Sequence, residues 1–241
     1  RHPAGKRSGP DEPVGPWKVK ALMDPSASVG KQGVKGAVLF DFDMTLVDSS
    51  IGITYCLNRL ALFFGLAEVS REEVVRTIGY PMVHAMEMLW GHFDPEWIDH
   101  YREHLVPLEY ERMDAFPGTR ETLSRLREEG LALGVVSNRK RLVPAVESSG
   151  LKEFFLSVVG LEDVKNPKPD PEPVRLSLKI LGSEAGEAFL VGDSEIDAEA
   201  ARRSGVRFIG VTSGGRNREI LLREGAWAVT DGIPGLTGIL L

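Results

Sequence analysis

The stretch AVLFDFDMTLVDSS, residues 37–50, runs four apolar residues into two acids one residue apart, then a threonine and a third acid. Ala37 to Phe40 has the length and composition of a short buried strand. Side chains on extended backbone alternate between faces, so Asp41 and Asp43 emerge on one side while Phe42 turns away. In open α/β sheets ligands bind beyond the carboxyl ends of the strands, near the point where strand order reverses. Converging carboxylates at a strand end therefore direct attention to whatever follows each of the other strands.

Outward from this stretch, short apolar runs alternate with amphipathic ones, the pattern of a parallel α/β sheet. Strands are expected at Ala37 to Phe40, Leu131 to Val136, Ser157 to Val159, Ala188 to Val191, Arg207 to Val211 and Trp227 to Val229. The helical patterns between them (GTRETLSRLREEG, RKRLVPAVESSG, PEPVRLSLKILG, SEIDAEAARRSG, RNREILLREG) each close on glycine, a common helix stop. One region breaks the alternation. From Ser49 to about Phe116 there is no good strand, but apolar residues recur at helical spacing: Ile53, Leu57, Leu60, Leu62 and Phe64, then Val74, Val75 and Ile78, then Val83, Met86, Leu89 and Trp90. Ser70 followed by Glu73 fits a capping box. The expected fold class is α/β: a Rossmann-like, mostly parallel sheet core in three α/β/α layers, with an inserted α-helical domain. The expected boundaries are 1–36 for a poorly ordered extension, 37–47 and 117–241 for the core, and 48–116 for the insertion.

After the second strand come Ser137 and Asn138, and after the fourth come Gly192 and Asp193, with Asp197 four residues on. In NPKPDPEP, Lys168 stands between two prolines just before a helix. Several acids brought together repel unless a cation sits among them, and an all-oxygen set favours Mg²⁺. Lys168 adds a positive charge that no amphipathic pattern requires. Ser137 and Asn138 supply a hydroxyl and backbone N–H groups ahead of a helix, a seat for an anion. A pocket that holds Mg²⁺, an anion and a free carboxylate points to phosphoryl transfer, in which one carboxylate can act as nucleophile while a second manages the proton.

Composition excludes other classes. The formal charge of −6 repels a phosphate backbone, and no basic run offsets it, so nucleic acid is not an expected partner. No segment reaches the roughly 20 apolar residues of a membrane helix, and residues 1–36 lack the apolar core of a secretion signal, so a cytoplasmic protein is expected. The one cysteine, Cys56, lies in a helical apolar pattern and reads as core.

The segments DFDMTLVDS, VVSNR, PKPDPEP and VGDSEIDAEAA stand in the order and context of the four motifs of the haloacid dehalogenase superfamily, and the chain from about Ala37 onward resembles its phosphoglycolate phosphatase-like branch. The resemblance implies a phosphatase for a small phosphorylated metabolite, as a monomer or homodimer. Asp41 is then the nucleophile, and Asp43 the acid and base, oriented by Thr45. Ser137 and Lys168 bind the phosphate, while Asn138 stays open between helix cap and phosphate donor. Mg²⁺ is then held by Asp41, the Asp43 carbonyl and Asp193, with Asp197 close by, and the insertion is the mobile cap. Asp43 favours phosphoryl chemistry over halide displacement. The alternatives are a β-phosphoglucomutase-type sugar phosphomutase, pyrophosphatase or nucleotidase activity on the same fold, and, from another class, a phospho-aspartate signalling module.

Asp48 reads as a cap of the helix that follows. Within the insertion, Arg76, Tyr80, His84 and Trp90 lie where a substrate-reading loop is expected, with packing the plainer role for most. Residues 212–219, TSGGRNRE, border the site or form a simple loop. Met44 departs from the family, which usually has glycine there. The expectation is a negative φ at Met44, with its side chain narrowing the cap-facing mouth of the site.

Overall fold

The computed structural model describes residues 36–241. The expected extension over 1–36 lies almost wholly outside the described residues. Six parallel strands form the main sheet: β1 (Ala37–Phe40), β4 (Ala132–Val136), β5 (Ser157–Val159), β6 (Ala188–Gly192), β7 (Arg207–Val211) and β8 (Ala228–Thr230). Their spatial order is β5-β4-β1-β6-β7-β8, so β1 is central and the order reverses between β1 and β6. In register, Leu39 stands opposite Gly134 on one side and Leu190 on the other.

Alternation along β1 builds two cores. Val38 and Phe40 pack with Leu133, Val135, Val191 and Ile209 against Leu123 and Leu126 of α6 (Thr119–Glu128) and Ala145 and Val146 of α7 (Leu142–Ser148). Ala37 and Leu39 face the opposite layer, among Val174 and Leu178 of α8 (Glu172–Leu181), Ala198 and Ala201 of α9 (Glu195–Ser204) and Leu221 of α10 (Arg218–Arg223). Both faces are covered, which is why these strands read as continuous apolar runs. The chain ends in α11 (Thr237–Leu240).

Between β1 and β4 lie α1 (Ser50–Phe64), α2 (Arg71–Val75), α3 (Met82–Trp90), α4 (Pro95–His100), a π-helical turn (Tyr101–Leu105) and α5 (Val106–Tyr110). These helices bury a core of their own, built on Cys56, Leu60, Val74, Met86, Trp97 and Tyr101. The Cys56 thiol donates to the Leu105 carbonyl, and burial pushes it up to about 12. Ser70 and Glu73 form the capping box that opens α2. Asp48 accepts the N–H and hydroxyl of Ser50 at the start of α1 and pairs with Arg71.

Two details differ from the sequence reading. The region is not free of strand, because β2 (Val47–Asp48) and β3 (Asp114–Ala115) pair antiparallel where the chain leaves and rejoins the sheet. Two residues carry no periodicity, so nothing in the sequence marks them. Leu62, expected on the apolar face of α1, is 85% exposed instead. Its position beside Ala61 and Phe63 lies off the stripe that Cys56, Leu57 and Leu60 bury.

Candidate active site

The order reversal brings the ends of β1 and β6 side by side, and the polar residues that follow them are buried together. Asp41 extends the ladder past β1, its N–H donating to the Val191 carbonyl at 2.8 Å. Its Oδ1 accepts Lys168 Nζ at 2.6 Å, and the same ammonium donates to Asp197 Oδ1 at 2.6 Å. Asp193, which follows β6, accepts the Thr45 hydroxyl at 3.1 Å. Two glycines leave room for these acids: a Cβ at Gly192 would overlap the Asp197 carboxyl, and one at Gly214 would overlap that of Asp193. Residues 212–219 therefore border the site through Gly214.

Oxygens of Asp41, Asp193 and Asp197 lie within 4.8 Å of one another, and all three side chains are buried. Three carboxylates share one ammonium, which leaves two negative charges unbalanced in a poorly solvated place. Burial, with Asp197 and Asp43 adding to it, pushes Asp41 up to about 7 against the pull of Lys168. Burial, Asp197 and Asp41 push Asp193 well above the usual carboxylate range. Burial would lower Lys168, but Asp197 and Asp41 outweigh it and hold the ammonium above its ordinary value. A donor set of this kind fits a divalent cation with oxygen ligands.

Ser137 continues β4, its N–H donating to the Val159 carbonyl, and its hydroxyl accepts the Arg139 N–H at 3.2 Å. Asp41, Asp43, Ser137, Lys168 and Asp193 form one side of a cavity of about 520 Å³. The insertion supplies the other, with Ile53, Leu57, Ile78, Tyr80, Met82 and Val83. Of the four candidates in that segment, Tyr80 lines the cavity. Arg76 pairs with Glu72, the Trp90 indole donates to the Ala67 carbonyl, and His84 lies beside Glu87.

Three expectations are corrected. Thr45 does not bond to Asp43; its hydroxyl goes to Asp193, because the turn after β1 carries it toward β6. The Asn138 side chain does not cap a helix. Its Oδ1 accepts the Lys168 N–H at 2.9 Å and its Nδ2 donates to the Lys168 carbonyl at 2.8 Å, so it holds the lysine loop in place. Met44 has φ of 62°, in the left-handed region, and its side chain is buried away from the cavity wall. The tight turn dictates this: Met44 N–H donates to the Val47 carbonyl, Leu46 N–H to the Phe42 carbonyl, and the Ser213 hydroxyl to the Met44 carbonyl.

A side chain at positive φ costs roughly 1 kcal/mol that glycine avoids. Met44→Ala keeps that strain and loses most of the buried side chain, whereas Met44→Gly loses the side chain and relieves the strain. Thermal unfolding is expected to rank the native protein above Met44→Gly and Met44→Ala last, the two variants differing by about 1 kcal/mol. Alanine above glycine would show that the turn is unstrained.

Two residues, Glu109 buried and Arg139 largely so, were not singled out by the sequence. Arg139 donates through Nε and Nη2 to Asp43 and through Nη1 to Glu109. In SNRKR it is one of three consecutive basic residues, and Glu109 is one of two acids in PLEYER, so neither stretch marks which residue turns inward.

This arrangement has known counterparts. Residues 38–211 match the family model described as haloacid dehalogenase-like hydrolase. The chain is 34% identical over 177 residues to pyrophosphatase PpaX of Bacillus velezensis, covering 73% of this chain and 82% of that one. It is 33% identical over 178 residues to phosphoglycolate phosphatase of Aquifex aeolicus, covering 70% and 81%. A crystal structure described as a predicted phosphatase from Clostridium acetobutylicum superposes with a TM-score of 0.75 at 27% identity, over 86% of this chain and 99% of that one. A parallel sheet layered between helices, with acids at the ends of β1 and β6, places the fold in the α/β class. Within that class, the chain belongs to the haloacid dehalogenase-like hydrolases. Among the described residues, no helix is long and apolar enough to cross a membrane.

Proposed function

We propose that the protein is a Mg²⁺-dependent phosphatase that hydrolyses a small phosphorylated metabolite through an aspartyl phosphate on Asp41. The observation that carries this reading is the Asp41 carboxylate at the cavity wall, bonded to the buried Lys168 ammonium, with Asp43 two residues on. An Asp41 oxygen forms the bond to phosphorus as the bond to the leaving oxygen breaks, and Asp43 gives that oxygen a proton. Asp43 then takes a proton from the water that hydrolyses the acyl phosphate. Lys168 and Ser137 hold phosphoryl oxygens, Asn138 fixes the loop that carries Lys168, and Thr45 orients Asp193.

Asp41, the Asp43 carbonyl and Asp193 would hold Mg²⁺, with Asp197 beside them. When bound, Mg²⁺ supplies charge neutralisation at the phosphoryl oxygens. Residues 48–116 act as a cap that keeps bulk water out and reads the rest of the substrate, with the β2–β3 pair as its hinge. The names of the Aquifex and Bacillus relatives support cleavage of a phosphorus–oxygen bond in a small anion and make phosphoglycolate the first substrate to try.

Phosphate release from 4-nitrophenyl phosphate and from phosphoglycolate is expected to require Mg²⁺ and to stop in EDTA. Release that persists in EDTA would overturn the metal assignment. The cation should also stabilise the fold by about 2.7 kcal/mol at 100 times its Kd, read as a rise in Tm. Without it, the folded chain keeps a proton on Asp41 up to about pH 7 that the unfolded chain has already lost, so stability falls as pH rises from the ordinary carboxylate range to about 7 and levels off above it. The Mg²⁺-induced rise in Tm should therefore be larger at about pH 8 than at about pH 6.

A further inference from the structure

Arg139 ties the sheet to the insertion. Its guanidinium is divided between two acids that come from different parts of the fold. Nε and Nη2 donate to Asp43 at 3.0 and 2.6 Å, and Nη1 donates to Glu109 Oε1 at 2.6 Å. Glu109 lies on α5, the last helix of the insertion, and its carboxylate is 3% exposed. Its other oxygen accepts the Tyr101 hydroxyl at 2.5 Å, and Tyr101 is part of the insertion's hydrophobic core. The Glu109 backbone is also fixed, because α1 packs so closely that a Cβ at Gly52 would come within 2.7 Å of its carbonyl oxygen. An unbroken line of hydrogen bonds thus runs from Asp43 into the packed interior of the insertion.

A planar guanidinium forked onto a carboxylate fixes where that carboxylate points, and a buried fork resists losing either partner. Here the third arm of the fork is held by a residue of the insertion. With Glu109 seated, Arg139 has one orientation and Asp43 inherits it. With Glu109 withdrawn, no other hydrogen bond described holds Nη1, and the fork is fixed by Asp43 alone.

We propose that Arg139 is a positioning residue through which Glu109 of the insertion sets the orientation of the Asp43 carboxyl. The proposal rests on the reading of Asp43 as proton donor: the Asp41–phosphorus bond forms, the bond from phosphorus to the leaving oxygen breaks, and the Asp43 proton goes to that oxygen.

Two substrates of nearly the same shape separate this role from a structural one. 4-Nitrophenolate departs readily without a proton, whereas the phenolate of phenyl phosphate depends on one far more. A variant that misplaces Asp43 should lose more kcat/KM on phenyl phosphate than on 4-nitrophenyl phosphate, while a merely loosened fold should lose equally on both. With Mg²⁺ saturating, Arg139→Lys and Glu109→Gln are each expected to show an excess loss on phenyl phosphate of roughly tenfold. Tyr101→Phe keeps the packing and removes the hydroxyl that steadies Glu109, and a smaller split in the same direction is expected, which keeps the test open if a charge variant fails to fold. Asp43→Asn serves as the reference. A split in Asp43→Asn with equal losses in the other three would overturn the proposal and leave the phosphatase reading standing. No split in Asp43→Asn would overturn the reading of Asp43 as donor, and this proposal with it.

Discussion

Asp41→Asn is expected to reduce phosphate release by at least about 10³-fold while leaving the metal-free fold as stable as before or more so. The two effects have opposite signs because they come from one charge. Asparagine has the shape of aspartate and retains a carbonyl oxygen to accept Lys168 Nζ, so the packing around β1 is kept. It lacks the anionic oxygen that would attack phosphorus, and no neighbour can replace it: Asp193 is bonded to Thr45, and Asp197 is taken up by Lys168 and Ser194. The same substitution removes one of three buried carboxylates that share a single ammonium, and burial has already pushed Asp41 up to about 7. Relief of that repulsion should appear as an unchanged or higher Tm in EDTA, the usual trade between stability and a working site. Phosphate release undiminished in this variant would show that Asp41 is not the nucleophile.

The parts legible in the sequence share a feature: each is local. A four-residue apolar strand followed by an acid can be read from residues 37–41 alone, and so can the Ser70–Glu73 capping box and the glycine that ends a helix. The parts that were not legible depend on which residue meets which across the fold. Thr45 was expected on Asp43, its near neighbour in sequence, and instead reaches Asp193, 148 positions away. The Asn138 side chain is taken up by the backbone of Lys168, 30 positions on. Met44 takes a backbone conformation that its residue type argues against, because three hydrogen bonds close the turn around it. Arg139 and Glu109 sit in charged runs in which every member looks solvated. Only the fold, which sets Glu109 of α5 2.6 Å from Arg139 after β4, selects the two that turn inward.

Lys168→Met is expected to lower both activity and stability, whereas Asp41→Asn, which removes the other charge of the same pair, lowers activity alone. Methionine matches the length and apolar stem of lysine, so what is lost is the ammonium rather than the packing. Its removal leaves Asp41 and Asp197 buried without a counter-charge. Breaking a buried ion pair from one side costs about 3–5 kcal/mol, more than the pair itself contributes, because the partner charge is stranded. Chemical denaturation in EDTA should show a loss of that size, and kcat/KM should fall by roughly 10²-fold or more, since nothing else described in the cavity donates to Asp41 Oδ1. Adding Asp197→Asn to Lys168→Met removes one stranded carboxylate, so it should restore part of the stability and none of the activity. Activity recovered along with stability would mean that Lys168 serves the fold alone. Stability recovered without activity separates the lysine's two roles, as counter-charge to the acids and as ligand to the phosphate.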